Sequence, residues 1–279
     1  MLRGCAVLYY KDDAIAFSII CYQMNDLSCI QNAKTVISDP YPYVFIEGAL
    51  PEKRYNELCS TFPMELVANT SPLDGGICYR YKIKDCQKSS LPPIWEDFFK
   101  FHTSKEYFRE CIKLFTPIIE KNYGAKFLHR LETGSVTRRD IDNTGDYVTD
   151  CQFVVHEPID QTKTSRTPHV DNPIEIYAGL LYMRLPGDTS QGGNFTVHRV
   201  NSEIKHVNRR LGRQVDSNLI TPHLEIPYAA NNFCMFLNVK NSVHGVTPRI
   251  NPIMRRRSIN IIGEFNGKDR MWKVKEIND

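Results

Sequence analysis

The sequence predicts a mainly β fold with flanking helices, in which short strands form a sandwich or a barrel. Short β-prone segments follow residue 128, turn signals separate them, and we expect no helix among them. The predicted strands are 128–137, 147–156, 174–186, 194–199, 223–226, 233–238 and 258–265.

The part of the chain before these strands has a helical pattern. Proline followed by glutamate predicts the start of a helix over 51–62, and 93–101 is typical of a short helix. Apolar residues recur at three- and four-residue steps over 104–123, which predicts an amphipathic helix. Residues 66–92 are rich in turn residues and are predicted to be mostly loop. We therefore expect the helices to support one sheet of the β core.

The composition is that of an ordinary soluble globular protein. The 279 residues include 42% hydrophobic and 24% charged residues. The formal charge is +3, which is close to balanced, so the composition predicts neither a nucleic-acid partner nor a membrane partner. Oligomeric state has no signal in the sequence.

The cysteines and the first residues bear on the compartment. Nine cysteines are widely scattered without a C-x-x-C pair, which favours reduced thiols and an intracellular, cytoplasmic protein. The apolar run 14–22 follows Lys11-Asp12-Asp13, so it lacks the basic flank of a signal peptide and is too short to span a bilayer. We predict a strand or a short buried helix over 10–22.

A pair of metal-ligand residue types opens the most informative stretch of the sequence. His169 and Asp171 are separated by one residue, so on an extended strand both side chains lie on the same side. His244 follows seventy-five residues later (244 − 169). Two histidines and one carboxylate on one face of a metal form the facial triad of non-heme Fe(II) oxygenases. The sequence therefore predicts a metal site made by these three residues.

A rival pair has the same spacing. His223 and Glu225 also lie two residues apart on a predicted strand, but only twenty-one residues before His244 (244 − 223). At roughly 8–12 residues per strand and turn, this interval holds about two strands, whereas the longer interval holds the full set. We therefore expect a surface or cross-strand pair here. Three other histidines are interpreted as structural or substrate-side residues: His156, His198 and His206.

Further motifs follow in a characteristic order. Gly192-Gly193 predicts a tight turn, His244 is followed by Gly-Val-Thr-Pro, and Arg256 forms an R-x-S pair with Ser258 twelve residues after His244 (256 − 244). Together with the H-x-D pair, these motifs resemble the Fe(II)/2-oxoglutarate-dependent dioxygenase superfamily, nearest to its prolyl-4-hydroxylase-like branch. The resemblance spans the last half of the chain. The ligand set narrows the predicted fold to a double-stranded β-helix, a cupin-like jelly roll.

The resemblance implies roles for individual residues. His169, Asp171 and His244 would hold Fe(II), and Arg256 with Ser258 would bind the distal carboxylate of 2-oxoglutarate. O2 would be the second co-substrate beside 2-oxoglutarate, and ascorbate is compatible as an accessory cofactor.

Two of these assignments leave alternatives open. Three arginines stand in a row, and on a strand Arg256 shares a face with Ser258, whereas Arg255 and Arg257 can belong to a basic edge. The interval after the distal histidine is slightly longer than is common in the family, so a neighbouring arginine remains an alternative. Tyr182 lies on a strand that faces the co-substrate in the family, which implies a carboxylate-binding hydroxyl; core packing is the alternative.

The activity that the resemblance implies is an oxidation of an unactivated C–H bond, with release of succinate and CO2. Hydroxylation is the default outcome, and ring closure or desaturation starts from the same chemistry. Because Asp171 is retained, halogenation is not expected. Without a separate peptide-binding domain, a small and amino-acid-like metabolite is the favoured substrate. The alternatives are a prolyl or peptidyl hydroxylase, a zinc site of cupin type, and a non-catalytic jelly-roll binding module.

The chain is predicted to be a single domain, because no repeat, low-complexity tract or linker divides it. Its expected parts are an N-terminal extension 1–40, a helical support region 41–127, a jelly-roll core 128–266 and a C-terminal tail 267–279.

Overall fold

Two β-sheets that pack face to face around a cavity form the centre of the molecule. The computed structural model describes residues 26–73, 77–88, 90–159 and 166–277. The strand or helix expected over 10–22 lies outside these residues.

The elements are named here in chain order. The strands are β1 (Tyr43–Ile46), β2 (Cys78–Lys82), β3 (Val136–Arg138), β4 (Tyr147–His156), β5 (Arg166–His169), β6 (Glu175–Tyr182), β7 (Gln191–Gly192), β8 (Phe195–Val200), β9 (His206–Asn208), β10 (Ile220–Ile226), β11 (Phe233–Leu237), β12 (His244–Val246), β13 (Arg249–Ile250), β14 (Arg256–Phe265) and β15 (Lys275–Ile277). The helices are α1 (Glu52–Ser60), α2 (Met64–Ala68), α3 (Pro93–His102), α4 (Lys105–Tyr123) and α5 (Ala125–Thr133).

The strand order is that of a jelly roll. The large sheet has the order β1-β11-β6-β14-β4-β2, and β3 pairs with β4. The small sheet has the order β10-β8-β12-β5. The core strands follow one another along the chain as β4, β5, β6, β8, β10, β11, β12 and β14. Successive core strands lie in opposite sheets, except β8 and β10, which form a hairpin within the small sheet. Eight strands therefore wind into two four-stranded layers, and the predicted fold class is confirmed.

Helices cover the outer face of the large sheet. The ring of Phe153 on β4 lies 4.6 Å from the ring of Trp95 and 4.7 Å from that of Phe99, centroid to centroid. Helix α4 forms as its pattern predicts: the Ser104 side chain accepts a hydrogen bond from the Tyr107 N–H, and the buried residues recur at three- and four-residue steps. This layer buries odd-numbered positions of β4, so the even-numbered positions face the cavity.

Two sequence-based predictions of secondary structure were wrong. Most of the strand predicted over 128–137 is helix α5, which starts directly after Gly124 and buries Leu128 and Leu131, three residues apart. Only β3 remains extended there. The region 66–92 contains strand β2, which pairs with β4 along its whole length. Both errors concern short segments whose conformation depends on long-range packing.

The remaining parts attach closely to this core. Strand β15 pairs in parallel with β9, and the Trp272 indole N–H donates to the Asn238 side-chain oxygen over 3.1 Å. Five of the seven cysteines within the described residues are buried. In the described part of the chain, no helix combines the length and the apolar character that crossing a bilayer requires.

Candidate active site

Three metal-ligand side chains converge where β5 and β12 pair. His169, the last residue of β5, stands opposite His244, the first residue of β12. Asp171 follows two residues later, in the loop before β6. The Nε2 atoms of the two histidines each lie 3.5 Å from a different carboxylate oxygen of Asp171. One ligand atom from each residue lies within 4.8 Å of the others, so a single ion between them is within reach of all three.

Backbone carbonyls orient both imidazole rings. The Nδ1 atom of His169 lies 2.8 Å from the Thr167 carbonyl oxygen, and that of His244 lies 2.9 Å from the Ser242 carbonyl oxygen. Because a carbonyl only accepts hydrogen bonds, each Nδ1 must carry the proton. The Nε2 lone pairs therefore face Asp171, as metal ligation requires.

The protonation states of these groups also suit a divalent cation. Burial lowers the pKa of His244 to about 4, so its ring is neutral near pH 7. Burial raises the pKa of the Asp171 carboxyl, but the neighbouring His244 and His169 rings outweigh burial and hold this pKa below its usual range. Neutral imidazoles and an ionised carboxylate are the forms that bind a metal.

Arg166 touches this cluster and has no counterpart in the motifs. Its Nε donates a hydrogen bond to Nε2 of His169 over 3.1 Å, and its Nη2 donates to the Gly212 carbonyl oxygen over 3.4 Å. A lone pair serves one partner at a time. Metal binding at His169 therefore requires the Arg166 side chain to turn away from this nitrogen.

The cavity in front of the three residues has a volume of about 210 Å³. Its small-sheet side carries His169 and His244, and its large-sheet side carries polar side chains from three strands. Those polar side chains are Arg80 from β2, His156 from β4, and Arg256, Ser258 and Asn260 from β14.

Arg256 is buried on this large-sheet wall, with 2% of its surface exposed. Its guanidinium carbon lies 5.1 Å from the ring centroid of Tyr182 and 5.0 Å from that of Tyr228. Its Nε donates to the Gly193 carbonyl oxygen over 3.2 Å. Its Nη2 and the Ser258 hydroxyl are both buried and have no hydrogen-bond partner within the described residues. An incoming carboxylate would satisfy both groups, so these residues fit a 2-oxoglutarate carboxylate.

The two neighbouring arginines face elsewhere. Arg257 lies on the helix side of β14, where its Nε donates to the Met183 carbonyl oxygen over 3.2 Å and its guanidinium carbon lies 4.6 Å from the Phe62 ring centroid. Arg255 forms an ion pair of 2.9 Å with Glu157. Of the three consecutive arginines, Arg256 is the one that lines the cavity. Its role in binding 2-oxoglutarate stays a prediction.

Tyr182 stands opposite Ser258 in the β6–β14 register and is fully buried. Burial raises the pKa of its hydroxyl, and the cation of Arg256 opposes that rise. The hydroxyl is therefore neutral near pH 7. Its predicted contact with the co-substrate stays a prediction.

The double glycine positions the Arg256 side chain. Gly192 and Gly193 have φ angles of +74° and +72°, a backbone region that disfavours other residues. A Cβ on Gly192 would lie 1.9 Å from the Pro248 carbonyl oxygen. The Gly193 carbonyl oxygen accepts the hydrogen bond from Arg256, and a Cβ on Gly193 would lie 3.5 Å from the Arg256 Cδ.

The four further histidines that the sequence analysis considered lie in three environments. His223 and Glu225 are exposed on β10, His206 is exposed on β9, and the His198 Nε2 lies 2.9 Å from the Thr196 hydroxyl. His156 lines the cavity and has a buried Nδ1 without a partner among the described residues. Burial, followed by the Arg256 and Arg80 cations, lowers the pKa of His156 to about 3.

Comparison with known proteins finds likeness only among solved structures. No protein-family model and no curated protein matches the chain. A prolyl 4-hydroxylase from Phytophthora capsici is 13% identical with a TM-score of 0.47, over 88% of this chain and 65% of that one. The chain therefore spans less than two thirds of that enzyme.

Two further structures illustrate the range of the likeness. A prolyl-4-hydroxylase from Pseudomonas putida is 12% identical with a TM-score of 0.41, over 81% of this chain and 93% of that one. The non-heme alpha-ketoglutarate-dependent carbocyclase SnoK from nogalamycin biosynthesis is 13% identical with a TM-score of 0.45, over 80% of this chain and 79% of that one. These proteins are of the kind that the sequence motifs resemble, and the assignment of the site rests on its own geometry.

Proposed function

We propose that this protein is an Fe(II)- and 2-oxoglutarate-dependent oxygenase. In this proposal His169, Asp171 and His244 bind the metal, and Arg256 with Ser258 binds the distal carboxylate of 2-oxoglutarate. One observation carries the proposal. A single cavity has three convergent metal-ligand atoms on one wall and, on the facing wall, a buried guanidinium with an N–H that has no partner among the described residues.

The bound Fe(II), 2-oxoglutarate and O2 would supply the oxidation, in which decarboxylation to succinate accompanies attack on a C–H bond. The residues of this chain supply position and environment. The Thr167 and Ser242 carbonyls keep the Nε2 atoms of both histidines turned inward. Arg256 offers a preorganised donor in a site where water is largely excluded, which strengthens its attraction for a carboxylate.

The size of the cavity supports a small substrate. Ligand pockets commonly measure roughly 300–1,000 Å³, and this cavity of about 210 Å³ must hold the co-substrate as well. We therefore propose hydroxylation, ring closure or desaturation of a small metabolite, in preference to a prolyl or peptidyl residue of a protein.

The test measures binding before turnover. Iron-loaded protein is titrated with 2-oxoglutarate under anaerobic conditions by calorimetry, and succinate is then quantified after exposure to oxygen. We expect wild type to bind both and to form succinate, His169→Ala to lose iron binding, and Arg256→Ala to bind iron but lose 2-oxoglutarate affinity about tenfold or more. Arg199→Ala, an exposed arginine paired with Asp39, is the matched control. Failure of the wild type to bind iron or 2-oxoglutarate would contradict the proposal and favour a binding module.

A further inference from the structure

The cavity carries more positive charge than the proposed ligands balance. Three arginines line it without an ion pair to any described carboxylate: Arg80, Arg166 and Arg256. A fourth arginine of the lining, Arg213, forms an ion pair of 3.0 Å with Glu276. Glu175 is the second carboxyl of the lining besides Asp171, and burial raises its pKa well above the usual value, which favours its neutral form. The imbalance therefore belongs to the cavity itself.

Bound ligands of the proposed function leave part of this charge unmatched. A divalent metal carries two positive charges, Asp171 supplies one negative charge, and 2-oxoglutarate supplies two. The sum is one negative charge, which Arg256 balances. Arg80 and Arg166, which are both half-buried, then remain without an anionic partner among the described residues, so a bound carboxylate would gain charge-assisted hydrogen bonds from them.

Arg80 is placed to meet the substrate rather than the co-substrate. It lies on the edge strand β2, opposite Val154, which in turn stands opposite Ser258. At about 4.8 Å per strand, the backbone of Arg80 is about 10 Å from that of Ser258. Its Nε is buried and has no hydrogen-bond partner in the described part of the chain.

Arg166 approaches the same space from the small sheet. Its guanidinium is within 3.1 Å of the metal-facing nitrogen of His169. Because this nitrogen is needed for the metal, the released guanidinium becomes a free donor beside the metal position. Arg80 and Arg166 thus present donors from two walls of one cavity.

We propose that the substrate carries a carboxylate, which Arg80 binds and Arg166 contacts as a second guanidinium. The planar fork of arginine matches a carboxylate in two parallel hydrogen bonds, and the small volume favours a short carboxylic acid. This inference rests on the proposed function, because the charge count includes the metal and 2-oxoglutarate.

The test compares the binding affinities of carboxylic acids with those of their neutral amides. Anaerobic iron-loaded protein saturated with 2-oxoglutarate is titrated by calorimetry with the standard amino acids and short mono- and dicarboxylic acids, each paired with its primary amide. We expect at least one acid to bind about tenfold or more tightly than its amide. Arg80→Gln should remove this preference and change 2-oxoglutarate affinity less than twofold. Arg166→Gln should weaken the preference for the acid over its amide. Arg199→Gln should leave both affinities unchanged.

Three results would overturn the inference. No acid in the panel binds better than its amide, or Arg80→Gln keeps the preference, or Arg80→Gln weakens 2-oxoglutarate as Arg256→Gln does, which would assign Arg80 to the co-substrate. A wild type that binds no 2-oxoglutarate fails at the earlier step, and that result removes the proposed function together with this inference.

Discussion

Two charged clusters lie on the same face of the same pair of strands and differ in whether their charges are balanced. Strands β4 and β14 pair continuously over ten residues. At one end, Arg139 forms ion pairs with Asp150, at 2.9 Å, and with Glu264. At the other end, Arg256 stands opposite His156, and no described carboxylate forms an ion pair with it. Within the described residues, the charges of the first cluster have partners of opposite sign and the charge of the second does not.

The difference separates a structural role from a binding role. In the Arg139 cluster, Asp150 also accepts from the Gln152 side chain and from the Ile83 N–H, so its carboxylate has three donors. In the Arg256 cluster, a guanidinium N–H and the Ser258 hydroxyl have no partner among the residues that the structure describes. A buried polar group without a partner costs free energy that a ligand can recover. The arrangement therefore predicts opposite responses to mutation, ligand and acid.

Loss of the Arg139 cation should destabilise the folded protein through the Arg139 cluster. Arg139→Met leaves two buried carboxylates without their partner, so we expect the free energy of unfolding to fall by about 3–5 kcal/mol. Arg130→Met removes an exposed ion pair with Asp269 and should cost under about 1 kcal/mol. Urea denaturation of both variants measures the difference. Equal and small losses would show that the Arg139 cluster is not a structural ion network.

Binding of 2-oxoglutarate at the Arg256 cluster should stabilise the folded protein. Iron-loaded protein with 2-oxoglutarate at a hundred times its dissociation constant should gain about 2.7 kcal/mol of unfolding free energy. The dimethyl ester, which has the same skeleton without the charges, should give almost no gain. Anaerobic denaturant melts with each compound measure this. Equal stabilisation by the ester would contradict a carboxylate-binding role for the Arg256 cluster.

Acid should act on the two clusters with opposite signs. The pKa of His156 is about 3 in the folded chain, below the usual value of about 6.5, so only the unfolded chain binds this proton between those pH values. This contributes a loss of about 1.4 kcal/mol per pH unit as the pH falls below 6.5. Burial raises the pKa of Asp150 and of Glu264, with Arg139 opposing the rise, so their protonation favours the folded chain at lower pH.

His156→Asn isolates the contribution of the imidazole. Its unfolding free energy should fall less steeply between pH 6 and pH 4, by about 1.4 kcal/mol per pH unit. Denaturation at several pH values in one buffer series measures both slopes. A variant with the wild-type slope would show that His156 does not cause this pH dependence.

The sequence indicated the cluster of metal-ligand residue types and the arginine that lines the cavity because both depend on local patterns. A one-residue separation puts His169 and Asp171 on one side, and strand alternation puts Arg256 rather than Arg257 on the face of Ser258. The long interval to His244 fits the strands that the fold places between β5 and β12.

Arg80 and the Arg139 cluster lack such a local signal. Arg80 lies on a five-residue strand, among turn residues, that forms only by pairing with β4. The partners of Arg139 lie 11 and 125 residues away (150 − 139, 264 − 139), so their cluster exists only in the folded chain. Helix α5 was missed because Gly124 marks the end of α4 and, equally, the start of the next helix.

The smallest change in stability is expected for Arg256, the arginine to which we assign 2-oxoglutarate binding. Arg256→Met loses one hydrogen bond to Gly193 and two cation–π contacts. It also removes a buried cation that has no carboxylate partner within the described residues and lies near His156 and other arginines. Because these effects oppose each other, the unfolding free energy should change by less than about 1 kcal/mol.

The same substitution should abolish the stabilisation by 2-oxoglutarate. Arg257→Met is the matched control, because it changes the adjacent arginine on the other face of β14 and should retain that stabilisation. Denaturant melts of both variants with and without ligand decide the matter. A loss of 3–5 kcal/mol in ligand-free Arg256→Met would mean that this guanidinium is already satisfied, as Arg139 is, and the contrast between the two ends of β14 would not hold.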